Sequence, residues 1–174
     1  MEKIGSTKSL IFTALGIAIV AVCTMIIKLP VPATGGYINF GDTMVFTFAI
    51  LLGRKKGAVI GGIGSCLADL LMGYMIFAPA TLVIKGIEGF ICGLLYEKIS
   101  KRNNSIGIVV GSIVAGTFMV GGYFIYETLI FSFEAASISI VGNIIQGVVS
   151  VVISVPVSIM IKKATKNQIE EKAA

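Results

Sequence analysis

Lys85 and Glu88 stand three residues apart in an otherwise apolar stretch, a spacing that puts both side chains on one face of a helix. Asn143 and Gln146 repeat that spacing later in the chain, with Ser150 following on the same face. Asp42, Asp69 and Glu127 also interrupt apolar surroundings. Taken together, Asp42, Asp69, Glu88 and Glu127 against the single Lys85 give a formal charge of −3 if all ionise. Such a set suits a ligand that donates hydrogen bonds or carries positive charge, because ionised carboxylates only accept. Carboxamides both donate and accept, and Tyr37, Tyr74 and Tyr123 offer flat faces and a hydroxyl. Each group also has a structural alternative. Lys85 and Glu88 can neutralise one another, Asn143 and Gln146 can join helices for about 1 kcal/mol or less, and Tyr123 and Tyr126 can belong to an interfacial aromatic belt.

Several chemistries are excluded by what is missing. The chain has no histidine, so Ser-His and Cys-His nucleophiles and H-E-x-x-H zinc sites cannot be built. No stretch matches the Walker phosphate loop, so any energised process must draw on a partner or an ion gradient. Asn39-Phe40-Gly41-Asp42 partly matches the Gly-x-Gly-Asp of intramembrane aspartyl proteases, with Asp69 as a second carboxylate. Position 39 is Asn, however, and Ala68 precedes Asp69 where that family has Tyr. No enzyme, cofactor or metal site is expected. Cys23, Cys66 and Cys92 are odd in number and lie in apolar runs, which suits packing.

The surroundings of these residues are those of a membrane protein. Of 174 residues, 56% are hydrophobic and 13% charged, about half the charge a soluble domain carries. Mean hydropathy is +0.97. Ionisable groups in such a chain cost at least about 2.5–3.5 kcal/mol each at bilayer depth, which makes them functional candidates. The N-terminal apolar run is too long for a cleaved signal peptide.

Six apolar segments follow, expected as helices over 7–28, 42–53, 57–72, 79–96, 105–131 and 137–161 of one membrane domain, residues 1–174. Pro30 and Pro32 end the first. The second is only about 18 Å long at 1.5 Å per residue, short of a hydrocarbon core of about 30 Å. The preceding stretch Ala33–Gly41, part of a long first external loop, is therefore expected to dip inward as irregular backbone. With both termini cytoplasmic, the inner side collects Lys3, Lys8, Arg54, Lys55, Lys56, Lys98, Lys101, Arg102, Lys162, Lys163, Lys166 and Lys172. Only Lys28 and Lys85 are left outside that set. The net charge of +5 is thus a matter of topology and gives no reason to expect nucleic acid. Glu2, Glu97, Glu170 and Glu171 map to the inner edge, whereas the candidate site residues map to the outer half. The inner half is expected to be nearly pure hydrocarbon. Ala14 and Ala18 form a small-xxx-small face on the first helix, suited either to internal packing or to docking a partner.

Together these features resemble the S components of energy-coupling factor (ECF) transporters. The more specific match is the string Pro32-Ala33-Thr34-Gly35-Gly36-Tyr37-Ile38-Asn39-Phe40-Gly41-Asp42, continued by Gly64–Leu70 and Ala78–Gly86. It is most similar to the subgroup assigned to hydroxymethylpyrimidine, with pyridoxine-type carriers as near relatives. The resemblance implies an all-α bundle of six transmembrane helices in a bacterial cell membrane, capturing a vitamin beneath a lid formed by the first external loop. It implies docking through Ala14 and Ala18 on a membrane coupling protein driven by two cytoplasmic ATPases, and substrate contacts from Glu88, Tyr123, Asn143 and neighbours. For an aminopyrimidine, Glu88 or Glu127 would accept from the amine, Asn143 and Gln146 would pair with the ring, and Tyr74 or Tyr123 would stack. Lys85 would orient a carboxylate or donate, and Tyr37, Asn39, Asp42 and Asp69 complete the expected set. A self-sufficient carrier coupled to protons or sodium through Asp69 or Glu127 is the other reading. The repeated half-structure common in such carriers is not visible in the sequence.

Overall fold

The computed structural model describes residues 7–173, with side chains through residue 165. Glu2 and Lys3, and the side chains of Lys166, Glu170, Glu171 and Lys172, therefore lie outside the described residues. The elements run α1 (Thr7–Ile26), β1 (Lys28–Val31), β2 (Gly36–Asn39), α2 (Gly41–Leu52), α3 (Arg54–Met72), α4 (Ala78–Ile99), α5 (Asn104–Ile130) and α6 (Phe133–Ala173).

Four of the helices, α1, α4, α5 and the Phe133–Thr165 part of α6, are long and apolar enough to cross a bilayer. Their outer surfaces carry large exposed aliphatic side chains, among them Leu129, Val148 and Met160. A soluble fold would bury such a surface, and here it is the face for lipid. This is a helical membrane protein. The helix α3 opens on Arg54-Lys55-Lys56, and α2 has only 12 residues. Short as it is, α2 is the hub of the bundle. It packs against α1, α3, α4 and α6, and Val45, Phe46, Ala49 and Ile50 are buried along it. Phe46, Ala49 and Ile50 form one core with Cys92 and Tyr96 of α4 and Ile108 and Ala115 of α5.

Three expectations are corrected. First, the stretch before α2 is not irregular. Strands β1 and β2 pair antiparallel, from Lys28 with Asn39 to Val31 with Gly36, so a short hairpin joins α1 to α2 within a bundle of six helices. The turn closes with Thr34 and Gly35 N–H groups on the Val31 carbonyl, and Gly35 takes φ +66°, a conformation glycine adopts freely. A hairpin pairs the inward-facing backbone groups of its two strands with one another, and the outward-facing Asn39 N–H is taken by Gln146 Oε1. Second, α6 runs 41 residues, well past the expected 137–161, and continues through Pro156. Third, the half of the bundle expected to be nearly pure hydrocarbon buries Ser112, Ser154 and Ser158, together with Thr47 of α2.

Helices α3 and α4 meet along glycines. A Cβ built on Gly89 would lie 2.4 Å from the Gly57 carbonyl oxygen, and one on Gly61 would lie 2.7 Å from the Lys85 carbonyl oxygen. The two backbones are therefore in contact, the close approach that small residues permit between membrane helices. This seam fixes the turn of α4 that carries Lys85 and Glu88.

Candidate functional site

Lys85 is 1% exposed, and Asp42 and Glu88 are fully buried. Lys85 Nζ bonds Asp42 Oδ1 and lies 3.1 Å from Glu88 Oε2, three residues on along α4. Asp42 sits in the first turn of α2, where the helix dipole favours a negative charge. Buried charges persist only when paired and hydrogen-bonded, and the pairing continues outward. Gln146 Nε2 donates to Asp42 Oδ2 at 2.8 Å, while Gln146 Oε1 accepts the Asn39 backbone N–H at 2.8 Å. Lys85 Nζ also lies 5.5 Å from the centre of the Tyr123 ring, whose hydroxyl donates to Thr81 Oγ1 at 3.0 Å.

Above this ion cluster is a polar cavity of about 30 Å³. Its floor and walls include Lys85 and Thr81 of α4, Tyr123 and Glu127 of α5, Asn143 and Gln146 of α6, and Asp69 of α3. The hairpin roofs it with Gly36, Tyr37 and Asn39. Tyr37 closes the roof by donating its hydroxyl to Asp69 Oδ1 at 2.5 Å. The Tyr74 ring packs 4.6 Å from that of Tyr37, with Lys28 Nζ 5.7 Å from the Tyr74 centroid. Phe77 supports the turn: a Cβ on Gly36 would lie 3.1 Å from its ring.

Three buried polar atoms around the cavity have no hydrogen-bond partner among the described residues: Asp69 Oδ2, Glu127 Oε2 and Asn143 Nδ2. The other oxygen of each carboxylate is engaged. Asp69 Oδ1 accepts from Tyr37, and Glu127 Oε1 accepts from Ser139 at 2.9 Å. Unpaired buried polar atoms cost about 1–3 kcal/mol each. Two acceptors and one donor are thus left open around one cavity, groups with which a small polar molecule can pair.

Eight of the expected contact residues line the cavity: Tyr37, Asn39, Asp69, Lys85, Tyr123, Glu127, Asn143 and Gln146. Asp42 and Glu88 do not. They lie beside Lys85 as its counterions, the mutual neutralisation that the spacing of Lys85 and Glu88 allowed. Tyr74 stands outside, its ring packed at a tilt against that of Tyr37. Ala14 and Ala18 are exposed on α1, away from the site. Residues missed in the sequence include Ser65, Thr81 and Ser139. Each precedes an identified residue by four (Asp69, Lys85 and Asn143), so helical spacing on the same face was the available signal.

The structure thus places a polar cavity inside a helical membrane bundle, lined from α3, α4, α5, α6 and the hairpin. The chain belongs to the ECF-type riboflavin transporter S component family, whose model matches residues 3–163. It is accordingly a multi-pass membrane protein and a non-catalytic, substrate-binding subunit of a transporter. S components of this kind work with a membrane T component and ATPases. The chain is 38% identical over 145 residues to a protein of Pyrococcus woesei described as an uncharacterized protein in the gap 3′ region, covering 83% of this chain and 95% of that one. It is 29% identical over 157 residues to the thiamine precursor transporter HmpT of Lactococcus lactis subsp. cremoris, covering 90% and 89%. A UPF0397 protein of Lactobacillus helveticus is 29% identical over 103 residues, covering 59% and 55%.

Proposed function

We propose that this chain captures hydroxymethylpyrimidine, a thiamine precursor, from outside the cell and presents it to a T component and two ATPases for ATP-driven import. The observation that carries the substrate is the open set of Asp69 Oδ2, Glu127 Oε2 and Asn143 Nδ2. An aminopyrimidine has an exocyclic amine to give to carboxylates and ring nitrogens to accept from Asn143, and Tyr37 and Tyr123 offer faces for its ring. The similarity to HmpT over nearly the full length of both chains supports the same choice. A cavity of about 30 Å³ holds a water or two, so the hairpin must lift before any ring enters. A single ring asks less of that movement than the three fused rings of riboflavin. Riboflavin is nevertheless the second reading, because the matching family carries its name. A pyridoxine-like vitamin would use the same carboxylates through its hydroxyls.

In this reading residues 1–174 form one domain of six spans with both termini cytoplasmic, seated in the cell membrane, with α2 and the hairpin together making one crossing. Ala14 and Ala18 face the T component. The test is titration of the purified chain with hydroxymethylpyrimidine, pyridoxine and riboflavin by calorimetry. Binding of hydroxymethylpyrimidine below about 1 μM, or about −8 kcal/mol, with much weaker binding of the other two, is the expected result. Preference for riboflavin overturns the substrate. Uptake by the chain alone, driven by a pH or sodium gradient without ATPases, overturns the ATP-driven reading.

A further inference from the structure

Asn39 and Asp42 bracket the junction where the hairpin enters α2, and one side chain holds both. Gln146 Oε1 accepts the Asn39 N–H and Gln146 Nε2 donates to Asp42 Oδ2, each at 2.8 Å. The loop thus closed runs along the backbone from Asn39 through Phe40 and Gly41 to Asp42 and returns through the carboxamide. It is tightened from within, because Asn39 Oδ1 accepts the Gly41 N–H at 2.8 Å. It is also backed by α1, since a Cβ on Gly41 would fall 2.1 Å from Thr24 Oγ1.

The amide can sit only one way round. Asp42 is acceptor-only and its other oxygen takes Lys85, so a flipped Gln146 would set oxygen against oxygen and leave its NH2 facing the Asn39 N–H. We propose that Gln146 is a positioning residue. Oriented by the Asp42–Lys85–Glu88 cluster, it anchors the α2 end of the hairpin, so that the hairpin opens by breaking the Tyr37–Asp69 bond while Asn39 stays in place. Gln146 lines the cavity, yet both ends of its amide are engaged with the protein. Its effect on a ligand is therefore on how long the roof stays shut. This rests on the binding role proposed above only for its ligand arm, because anchoring exists in the empty protein too.

The experiment exchanges the two partners. Gln146→Glu sets two carboxylates together, and Asp42→Asn removes the acceptor and one counterion of Lys85. The double variant restores a carboxamide–carboxylate pair with donor and acceptor reversed and the charge conserved. Amide hydrogen exchange over residues 36–39 is measured on the empty full-length chain, and the dissociation rate of hydroxymethylpyrimidine on the loaded one. Each single change should accelerate both about tenfold or more, and the double should return both to within about threefold of wild type. Unchanged exchange in the singles, or a double no better than the worse single, overturns the proposal. If a single variant cannot be recovered folded, the double decides. Wild-type-like hairpin protection in it supports the pairing, and its failure to fold or to protect the hairpin overturns it. Should wild type not bind hydroxymethylpyrimidine, the substrate proposal fails while the exchange arm still judges the anchor.

Discussion

Lys85 serves two carboxylates at once and has no charge left over for a ligand. Removing it strands Asp42 and Glu88 in a place where neither is solvated. Breaking a buried ion pair from one side costs about 3–5 kcal/mol, so Lys85→Met should lower the melting temperature of the empty chain sharply. Adding Asp42→Asn and Glu88→Gln to it should recover much of the loss. A Lys85→Met chain as thermostable as wild type would mean that the cluster is not ionised as drawn. Glu127 stands at the opposite pole. One of its oxygens is held by Ser139 and the other is open to the cavity. Glu127→Gln keeps the size and the Ser139 bond but loses charge. It should weaken hydroxymethylpyrimidine binding by about 10- to 150-fold, the equivalent of about 1.5–3 kcal/mol for a charge-assisted bond, with little change in melting temperature. Equal affinity in calorimetry would remove Glu127 from the contact set. The i,i+3 spacing of Lys85 and Glu88 was readable in the sequence and so was their shared face. Which of the two turns toward the ligand was not, because that depends on Asp42 arriving from a helix 43 residues away.

At the scale of elements, the α3–α4 seam decides whether the cluster can form at all. Gly89 and Gly86 sit on the same helix but differ in what a methyl would meet. At Gly89 it would meet the Gly57 carbonyl at 2.4 Å, whereas at Gly86 the nearest atom is the Ala58 carbonyl oxygen at 3.6 Å, an ordinary contact. Gly89→Ala must push the helices apart and should cost about 1–3 kcal/mol as overpacking. Gly86→Ala should be neutral or slightly stabilising, since alanine is the better helix former by up to about 1 kcal/mol. Thermal unfolding of the two variants side by side checks the sign, and equal effects would contradict the seam. The glycines at 57, 61, 89 and 93 were visible as two i,i+4 pairs, yet only the Ala14–Ala18 pair was singled out by sequence. The shortness of α2 was legible because length is a local property. The hairpin was not, because Pro30 and Pro32 read as breakers, and strand pairing depends on partners, from Val31–Gly36 out to Lys28–Asn39, that no periodicity announces.

For the whole molecule, S components work with a T component and ATPases, and in the proposed function part of the lipid-facing surface makes that contact. The helix α1 offers a place for this. Gly16 turns inward, where a Cβ would lie 2.7 Å from Ile60, whereas Ala14 and Ala18, two residues to either side and so about 200° round the helix, are exposed. Ile11, Leu15 and Val22 stand out around them at 60%, 52% and 46% exposure, leaving a notch floored by two methyl groups. Membrane helices associate by close packing rather than by hydrophobic exclusion, so a notch of this kind favours a partner helix over disordered acyl chains. Ala18→Trp fills the notch without entering the core. The bundle, the hairpin and the polar chamber should survive it, and affinity for hydroxymethylpyrimidine should stay within about twofold of wild type. Uptake in vesicles that also hold the T component and ATPases should fall to background, and co-purification with the T component should be lost. Uptake at the wild-type rate would place the docking surface elsewhere. Loss of binding in the isolated chain would mean that this face of α1 supports the bundle itself, and the two results are separated by running both assays on the same preparation.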